Sequence, residues 1–301
     1  MRFSIVTPTW NSEKYIRETL ESVSSQTGDF DIEHIIVDGG STDGTLDIVR
    51  EYESTARSGR IPIRCRSISV SVISEKDEGM YDAVNKGFAQ ATGDVFAWLN
   101  SDDTYEPGAF DAVARAFAAF PETRWLKGRT TIVADDGSII PGSCRLYRQD
   151  WIREGIYGRE AYFIEQDSVF WRADLWKAAG GIPHSFKRAG DYYLWIKFGD
   201  KAPLVSLDAA VSRFRKRPGQ LSKDVEEYRR EQIITRPERS AAARKARRFF
   251  ALQSRIVYRW PVFEPVFLWL YRSIFGLRGA RYLALDDGLV VARDFKSYKV
   301  Y

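Results

Sequence analysis

Asp94-Val-Phe-Ala-Trp-Leu-Asn-Ser-Asp-Asp103 is the stretch on which the fold turns. Gly93-Asp94 closes a helical segment, Val95 to Leu99 form a short buried strand, and the strand opens onto Asn100-Ser101-Asp102-Asp103. Two adjacent carboxylates at a strand mouth repel each other, which raises one pKa or recruits a cation. Carboxylate oxygens suit a hard ion such as Mg²⁺ or Mn²⁺. Mg²⁺ on one or two carboxylates completes its shell with water and substrate phosphates. The stretch therefore predicts metal-assisted chemistry on a phosphorylated substrate.

Upstream, Phe3 to Thr7 is a β-rich run broken by Pro8, and Asn11 or Ser12 can cap a helix carrying Tyr15, Ile16, Leu20 and Val23. Ile32 to Val37 is a second strand, ending in Asp38-Gly-Gly-Ser-Thr-Asp-Gly44, with a helix from Thr45 to Tyr52. Ser54 to Arg66 reads as a loop, Val70 to Ser74 as a strand, and Glu78 to Ala91 and Gly108 to Phe120 as helices. This alternation predicts parallel βαβ units. Ligands of open α/β sheets bind beyond the carboxyl ends of the strands. Thr7-Pro-Thr-Trp10, Asp38-Gly39-Gly40 and Asn100 to Asp103 all fall there.

After Pro121 the rhythm changes. Trp125 to Val133 and Ser138 to Ile140, joined through Asp135-Asp-Gly137, predict a β-hairpin. Helices are expected over Arg172 to Ala179 and Asp191 to Phe198, and a helical, basic and aromatic pattern from Val225 onward.

The 301 residues suffice for one sizeable core plus an appended subdomain. At 44% hydrophobic and 29% charged residues the composition excludes a disordered chain. Net charge is only +4, but Arg213 to Arg259 holds fifteen Lys or Arg against five acids, which suits an anionic partner. Cys65 and Cys144 lack metal or disulfide spacing and read as idle thiols of a reducing compartment. The N-terminal apolar run is too short for a signal peptide, and no window supports a spanning helix. Cytoplasmic residence is the expectation.

His34 and His184 are the two histidines; His34 enters a strand and reads as structural, and His184 sits in a loop. A general base is then expected among the carboxylates. Asp191, opening an aromatic helix in Gly190-Asp-Tyr-Tyr-Leu-Trp195, serves as that base or as a helix N-cap. Gly39-Gly-Ser-Thr-Asp-Gly44 lacks the lysine of a phosphate-binding P-loop and the spacing of a dinucleotide fingerprint. Asp38 can accept the N3–H of a pyrimidine, a pairing that excludes no other use.

Four segments in order resemble family 2 glycosyltransferases: Ser4-Ile-Val-Thr-Pro-Thr-Trp-Asn11, Val37-Asp-Gly-Gly-Ser-Thr-Asp-Gly-Thr45, Ser74-Glu-Lys-Asp-Glu-Gly-Met-Tyr-Asp-Ala-Val-Asn-Lys-Gly87 and Leu99-Asn-Ser-Asp-Asp103. Gln166-Asp-Ser-Val-Phe-Trp-Arg172 and Asp191-Tyr-Tyr-Leu-Trp195 are similar to acceptor-side motifs of bacterial polysaccharide-building members. The resemblance spans residues 3 to 222. It implies an α/β fold of GT-A type, a mostly parallel nucleotide-binding sheet flanked by helices, with a helical basic-aromatic extension. The implied division is a catalytic domain over 1–222 (nucleotide-sugar half 1–120, acceptor half 121–222) and an extension over 223–301.

The same resemblance implies that Thr7, Pro8 and Thr9 line the base and ribose pocket with Asp38 on the uracil edge. Asp77 and Gly79 close over the nucleotide. Asn100-Ser101-Asp102 takes the D-x-D position, with Asn100 facing ribose and Asp102 binding the Mn²⁺ or Mg²⁺ cofactor; Asp103 is a further metal candidate. Asp191 is the implied catalytic base, with Gly190 where an acidic neighbour is usual. Gln166, Trp171, Arg172, Tyr192 and Trp195 fall on the acceptor side, the aromatics as sugar-stacking or core residues. Arg213, Arg215 and Lys216 are read either as meeting diphosphate charge from a flexible loop or as a solvated basic face. The implied reaction is single displacement with inversion, from a nucleotide-diphosphate sugar (UDP-linked) to a glycan or polyprenyl-diphosphate-linked acceptor.

Arg244-Lys-Ala-Arg-Arg-Phe-Phe250, followed by Ile256 to Tyr271 with Trp260 and Trp269, suits an interfacial segment on an anionic inner leaflet. An oligomer interface is the other reading of that segment. A sugar-phosphate nucleotidyltransferase calls for a Gly- and Arg-rich loop that Pro8-Thr-Trp-Asn11 lacks. A non-enzymatic basic membrane- or nucleic-acid-binding protein leaves the three strand-end motifs unexplained, and no nucleic-acid partner is expected.

Overall fold

The computed structural model describes residues 1–134, 136–217, 220, 224–236, 240–276, 280–286 and 289–292. The nucleotide half runs β1 (Arg2–Thr9), α1 (Ile16–Ser24), β2 (Asp31–Asp38), α2 (Thr45–Arg57), β3 (Ser67–Ser74), α3 (Met80–Gln90) and β4 (Val95–Trp98). These strands pair in parallel in the order β4-β1-β2-β3. β1 and β4 are buried along nearly their whole length, as strands covered on both faces must be. Ile16, Leu20 and Val49 from α1 and α2 cover Ile36 on one face. On the other, α3 lays Tyr81, Val84 and Phe88 against Val6, Ile35 and Val37. From β1 the chain builds outward to β3, then crosses back to place β4 on the far side of β1. The switch in direction opens a crevice between the carboxyl ends of β1 and β4, where ligands of doubly wound sheets bind.

The second half is mixed. β5 (Thr104–Tyr105), α4 (Ala109–Ala119), β6 (Trp125–Val133), β7 (Ile139–Ile140) and α5 (Gln149–Arg153) come first. β8 (Val169–Arg172), α6 (Ala173–Ala179), α7 (Gly190–Gly199) and β9 (Leu204–Arg215) follow. β8 runs antiparallel between β4 and β6, while β6 and β9 are parallel. β8 and β9 carry no alternating pattern, because both are buried on two faces, and the sequence did not mark them as strands. The predicted hairpin forms as β6 and β7, although its Asp135 lies outside the described residues. The segment read as a loop from Ser54 begins instead as the last turn of α2, which continues to Arg57.

The C-terminal extension contains α8 (Val225–Thr235), α9 (Ala241–Arg259) and α10 (Glu264–Phe275) as expected. It is not helical throughout. β10 (Arg281–Asp286) joins β9 in parallel and β11 (Leu289–Ala292) pairs with β10, extending the sheet to β11-β10-β9-β6-β8-β4-β1-β2-β3. Phe250, Tyr271 and Phe275 also close around Trp151 of α5, the last at 5.0 Å between ring centroids. The extension thus shares the core of the acceptor half. Its chain beyond 292 lies outside the described residues.

Candidate active site

The β1–α1 and β2–α2 loops are laced by short polar side chains. Asn11 adopts a left-handed backbone (φ 48°), takes a hydrogen bond from Thr42 N to its Oδ1 at 2.9 Å, and donates its N–H to Ser41 Oγ at 2.8 Å. Asparagine tolerates that conformation better than most residues. Ser12 Oγ and Ser101 Oγ lie 2.6 Å apart, fastening the first loop to the end of β4. Gly39 lets Asp77 approach closely: a Cβ there would lie 2.5 Å from Asp77 Oδ2 and displace that carboxylate. Asp77 in turn accepts the N–H of Gly79, whose φ of +122° favours glycine. The structure therefore brings together the three strand ends and the Asp77–Gly79 turn.

Several expected nucleotide contacts have other partners. Thr7 is fully buried and its hydroxyl lies 2.9 Å from His34 Nε2. Burial pushes His34 down to about 3, so it is neutral, and Tyr52 OH stands 3.3 Å from its Nδ1, as a structural histidine requires. Pro8 is buried in the strand. Asp38 has no exposed surface; Ser41 Oγ donates to it at 2.5 Å and Ser74 Oγ at 2.8 Å. It fixes the Gly39–Ser41 turn and presents no free edge to a base. Ser101 is likewise spent on Ser12. Two buried atoms remain without a partner at the crevice, Thr9 Oγ1 and Asn100 Oδ1. Burying an unpaired acceptor costs about 1–3 kcal/mol, a cost that a bound polar ligand removes. Trp10, 66% exposed beside Thr9, is a flat surface at the same crevice that sequence reasoning did not single out.

The adjacent aspartates diverge. Asp103 is 1% exposed; its Oδ1 accepts Arg215 N at 2.9 Å, its backbone carbonyl accepts Thr19 Oγ1, and its Oδ2 has no partner. Burial, then the charges of Asp102 and Asp167, hold its pKa well above the carboxylate range. The Arg215 N–H on its Oδ1 ties Asp103 to the end of β9. Asp102 instead borders a cavity of about 240 Å³ whose walls include Glu18, Arg213 and Arg215. Its Oδ2 accepts Arg217 Nε at 2.6 Å. Arg215 and Arg217 both lie over the Tyr15 ring, at 5.2 and 5.4 Å. Arg213 is engaged by Glu106 at 2.8 Å. Arg217 is the cation nearest the aspartate, and its only signal in the sequence was membership of the basic run.

No group of three ligating side chains forms a metal cage among the described residues. Asp102 is the one carboxylate of the strand end that borders the cavity, and it is already paired with Arg217; a hard cation there would draw most of its ligands from diphosphate and water.

Asp191 stands apart from that cavity, where α3, α7 and α8 meet. The N-cap of α7 is Ala189, and no side chain caps it from that position, so Asp191 is not the cap. Asp191 Oδ1 accepts Tyr192 N at 2.8 Å and Tyr228 OH at 3.2 Å, while Oδ2 has no partner among the described residues. Burial raises its pKa to about 6, with the two donors opposing the shift. The segment carrying Asp191 is joined to α3 and the turn before it. Asn85 exchanges two hydrogen bonds with Ile182, Tyr81 OH donates to Arg188 O at 2.7 Å, and Lys187 Nζ donates to Glu78 O at 2.7 Å.

The acceptor-side expectations need correction. Trp195 is stacked between Trp98 and Trp125, at 6.0 and 5.8 Å. Trp171 is fully buried among Phe88, Trp98 and Trp176, and Tyr192 is buried with its hydroxyl on Gly155 O. None offers an open face to a sugar. Arg172 sits opposite Val95, at the start of β4, because β8 runs antiparallel, and it packs on Phe117. The same register puts Gln166 at the other end. Its Nε2 donates to Trp98 O at 2.7 Å, and Asn100 Nδ2 donates to its Oε1 at 3.4 Å.

A doubly wound half, a second half of mixed sheet and polar strand ends beside an acidic mouth define a GT-A type fold. Residues 4–123 match the family described as Glycosyl transferase family 2, and over that segment the chain is similar to its members. Over 122 residues it is 38% identical to the PGL/p-HBAD biosynthesis glycosyltransferase of Mycobacterium bovis, covering 40% of this chain and 42% of that protein. The chain spans less than half the length of the curated relatives it matches first. S. aureus TarS 1–349 in complex with UDP-GlcNAc superposes with a TM-score of 0.57 at 22% identity, over 82% of this chain and 70% of TarS 1–349. The mannosyltransferase PcManGT from Pyrobaculum calidifontis, in complex with GDP-Man and Mn²⁺, gives 0.54 at 19% identity, over 78% and 62%. At these identities the two structures share the fold.

Proposed function

We propose that the chain is an inverting glycosyltransferase that moves a sugar from a nucleotide-diphosphate sugar, UDP-linked, to a hydroxyl of a glycan or polyprenyl-diphosphate-linked acceptor. The observation that carries this reading is Asp191: a carboxylate with one free oxygen and a pKa near 6, joined through α3 to the turn of Asp77 and Gly79. The likeness to proteins bound to UDP-GlcNAc and GDP-Man supports a sugar nucleotide as donor.

The nucleotide lies over the crevice between β1 and β4, where Thr9 Oγ1 and Asn100 Oδ1 await partners and Gln166 orients Asn100. Arg213, Arg215 and Arg217 supply positive charge to the diphosphate. Asp102 is the protein ligand for a divalent cation, which when bound supplies charge neutralisation at the leaving diphosphate. Asp191 Oδ2 accepts the proton of the acceptor hydroxyl as that oxygen attacks the anomeric carbon and the diphosphate departs. A base with a pKa near 6 is ionised at neutral pH and still basic enough to act.

Release of nucleoside diphosphate from a set of nucleotide sugars tests the reading. Turnover is expected with one of them, with kcat/KM rising through about pH 6 and then level, because the protonated carboxyl cannot accept. Asp191→Asn is expected to lower turnover at least about a thousandfold while nucleotide binding persists. Full turnover in that variant would remove Asp191 from the mechanism.

The extension fits a peripheral position on the inner face of an anionic membrane. No helix among the described residues is long and apolar enough to cross a bilayer. The turn between α9 and α10 exposes Trp260 and Val262 (77% exposed), α10 exposes Val266 and Trp269, and α9 holds Arg244, Lys245, Arg247, Arg248, Arg255 and Arg259 with no acid. Apolar side chains beside a basic helix favour an interfacial site on anionic lipid.

A further inference from the structure

The segment that presents Asp191 is held by a helix from outside its own half. Glu231 of α8, 3% exposed, accepts the backbone N–H groups of Lys187 at 2.6 Å, Arg188 at 3.0 Å and Ala189 at 2.5 Å. Three consecutive N–H groups converging on one carboxylate form an anion cradle and fix the backbone that carries them. Three residues earlier on the same face of α8, Tyr228 donates its hydroxyl to Asp191 Oδ1. One helix thereby sets both the backbone entering α7 and the rotamer of the carboxyl two residues beyond the cradle.

We propose that Glu231 and Tyr228 are positioning residues for proton abstraction, holding Asp191 with Oδ2 turned to the acceptor. The proposal rests on the assignment of Asp191 as base. Neither residue touches substrate, and they act in opposite senses. The Tyr228 hydroxyl stabilises the ionised carboxylate, whereas the Glu231 charge opposes its ionisation. Among the described residues, Tyr81 of α3 is a further titratable group facing Asp191. In the entering loop, Lys187 is turned to Glu78 O and Arg188 to Asp224. If Glu231 merely capped α7, its loss would lower stability and leave the titration of Asp191 in place.

The test follows the Asp191 carboxyl carbon by ¹³C NMR against pH in the full chain labelled at aspartate, the resonance being identified by its loss in Asp191→Asn. Tyr228→Phe is expected to raise the midpoint by about one to two pH units, the worth of a hydrogen bond to a charged group. Glu231→Gln is expected to lower it, with kcat reduced and KM for the active nucleotide sugar unchanged. Thermal melts establish that each variant is folded. Should Tyr228→Phe fail to fold, the direction of the Glu231→Gln shift decides alone. Unmoved midpoints in folded variants overturn the positioning role and leave a helix cap. Intact turnover in Asp191→Asn overturns the base assignment and the proposal with it, whatever the midpoints do, so the two failures are distinguishable.

Discussion

Asp102 and Arg217 form a contact whose strength sets how readily a cation enters. The pair is 2.6 Å apart, with the aspartate side chain 10% and the arginine 31% exposed, so water screens it only in part. A divalent ion and Arg217 compete for the same carboxylate oxygen. Arg217→Ala is therefore expected to tighten the binding of Mn²⁺ alone by about threefold to tenfold, and Asp102→Ala to remove it. Water-proton relaxation of Mn²⁺ reads both. Undiminished Mn²⁺ affinity in Asp102→Ala would sink the metal assignment. Asp103, one residue on, is expected to tolerate change to Asn with Mn²⁺ affinity preserved, because its Oδ1 is engaged by Arg215 N and an amide oxygen can accept that bond. The sequence marked both carboxylates. Only the antiparallel pairing of Thr104 with Arg213 decides which of them turns inward.

At the scale of elements, β4, β6, β8 and α7 meet in an aromatic stack. Trp98, Trp125, Trp171 and Trp195 lie with ring centroids about 6 Å apart, the offset and edge-on spacing that aromatic pairs prefer. Trp195→Ala is expected to cost about 3–5 kcal/mol in urea unfolding, as loss of a buried tryptophan does. A sugar-stacking Trp195 would instead leave stability intact and raise KM for the acceptor. The sequence was legible for the nucleotide half, where strands of four to eight residues alternate with amphipathic helices, and each polar strand end announced itself. It was less legible for β8 and β9, since a strand buried on both faces loses the period-two signal. Glu231 and Tyr228 carried no motif at all; their roles arise from the contact of α8 with a loop more than forty residues distant.

For the whole molecule, charge and exposed apolar surface coincide on α9 and α10. Binding to phosphatidylglycerol vesicles is expected at low salt, falling as NaCl approaches about 0.5 M through screening. Trp260→Ser with Trp269→Ser should weaken it several-fold at constant charge. Equal binding to neutral phosphatidylcholine, or indifference to the tryptophans, would count against a membrane role. The match to family 2 covers the nucleotide half. The extension returns to the sheet as β10 and β11, and so is built into the same core rather than appended to it.

The amino-acid sequence by itself determined a parallel α/β nucleotide half and the three strand ends at which a ligand sits, because hydrophobic period and turn chemistry are local properties. It also named Asp102 and Asp191 as candidate carboxylates. The tertiary structure decided which residues stay available. Thr7, Asp38 and Ser101 are satisfied by neighbours, Trp171 and Trp195 are enclosed, and Asp191 keeps one free oxygen. Availability depends on desolvation and on partners brought from distant segments, and neither is encoded at the residue concerned.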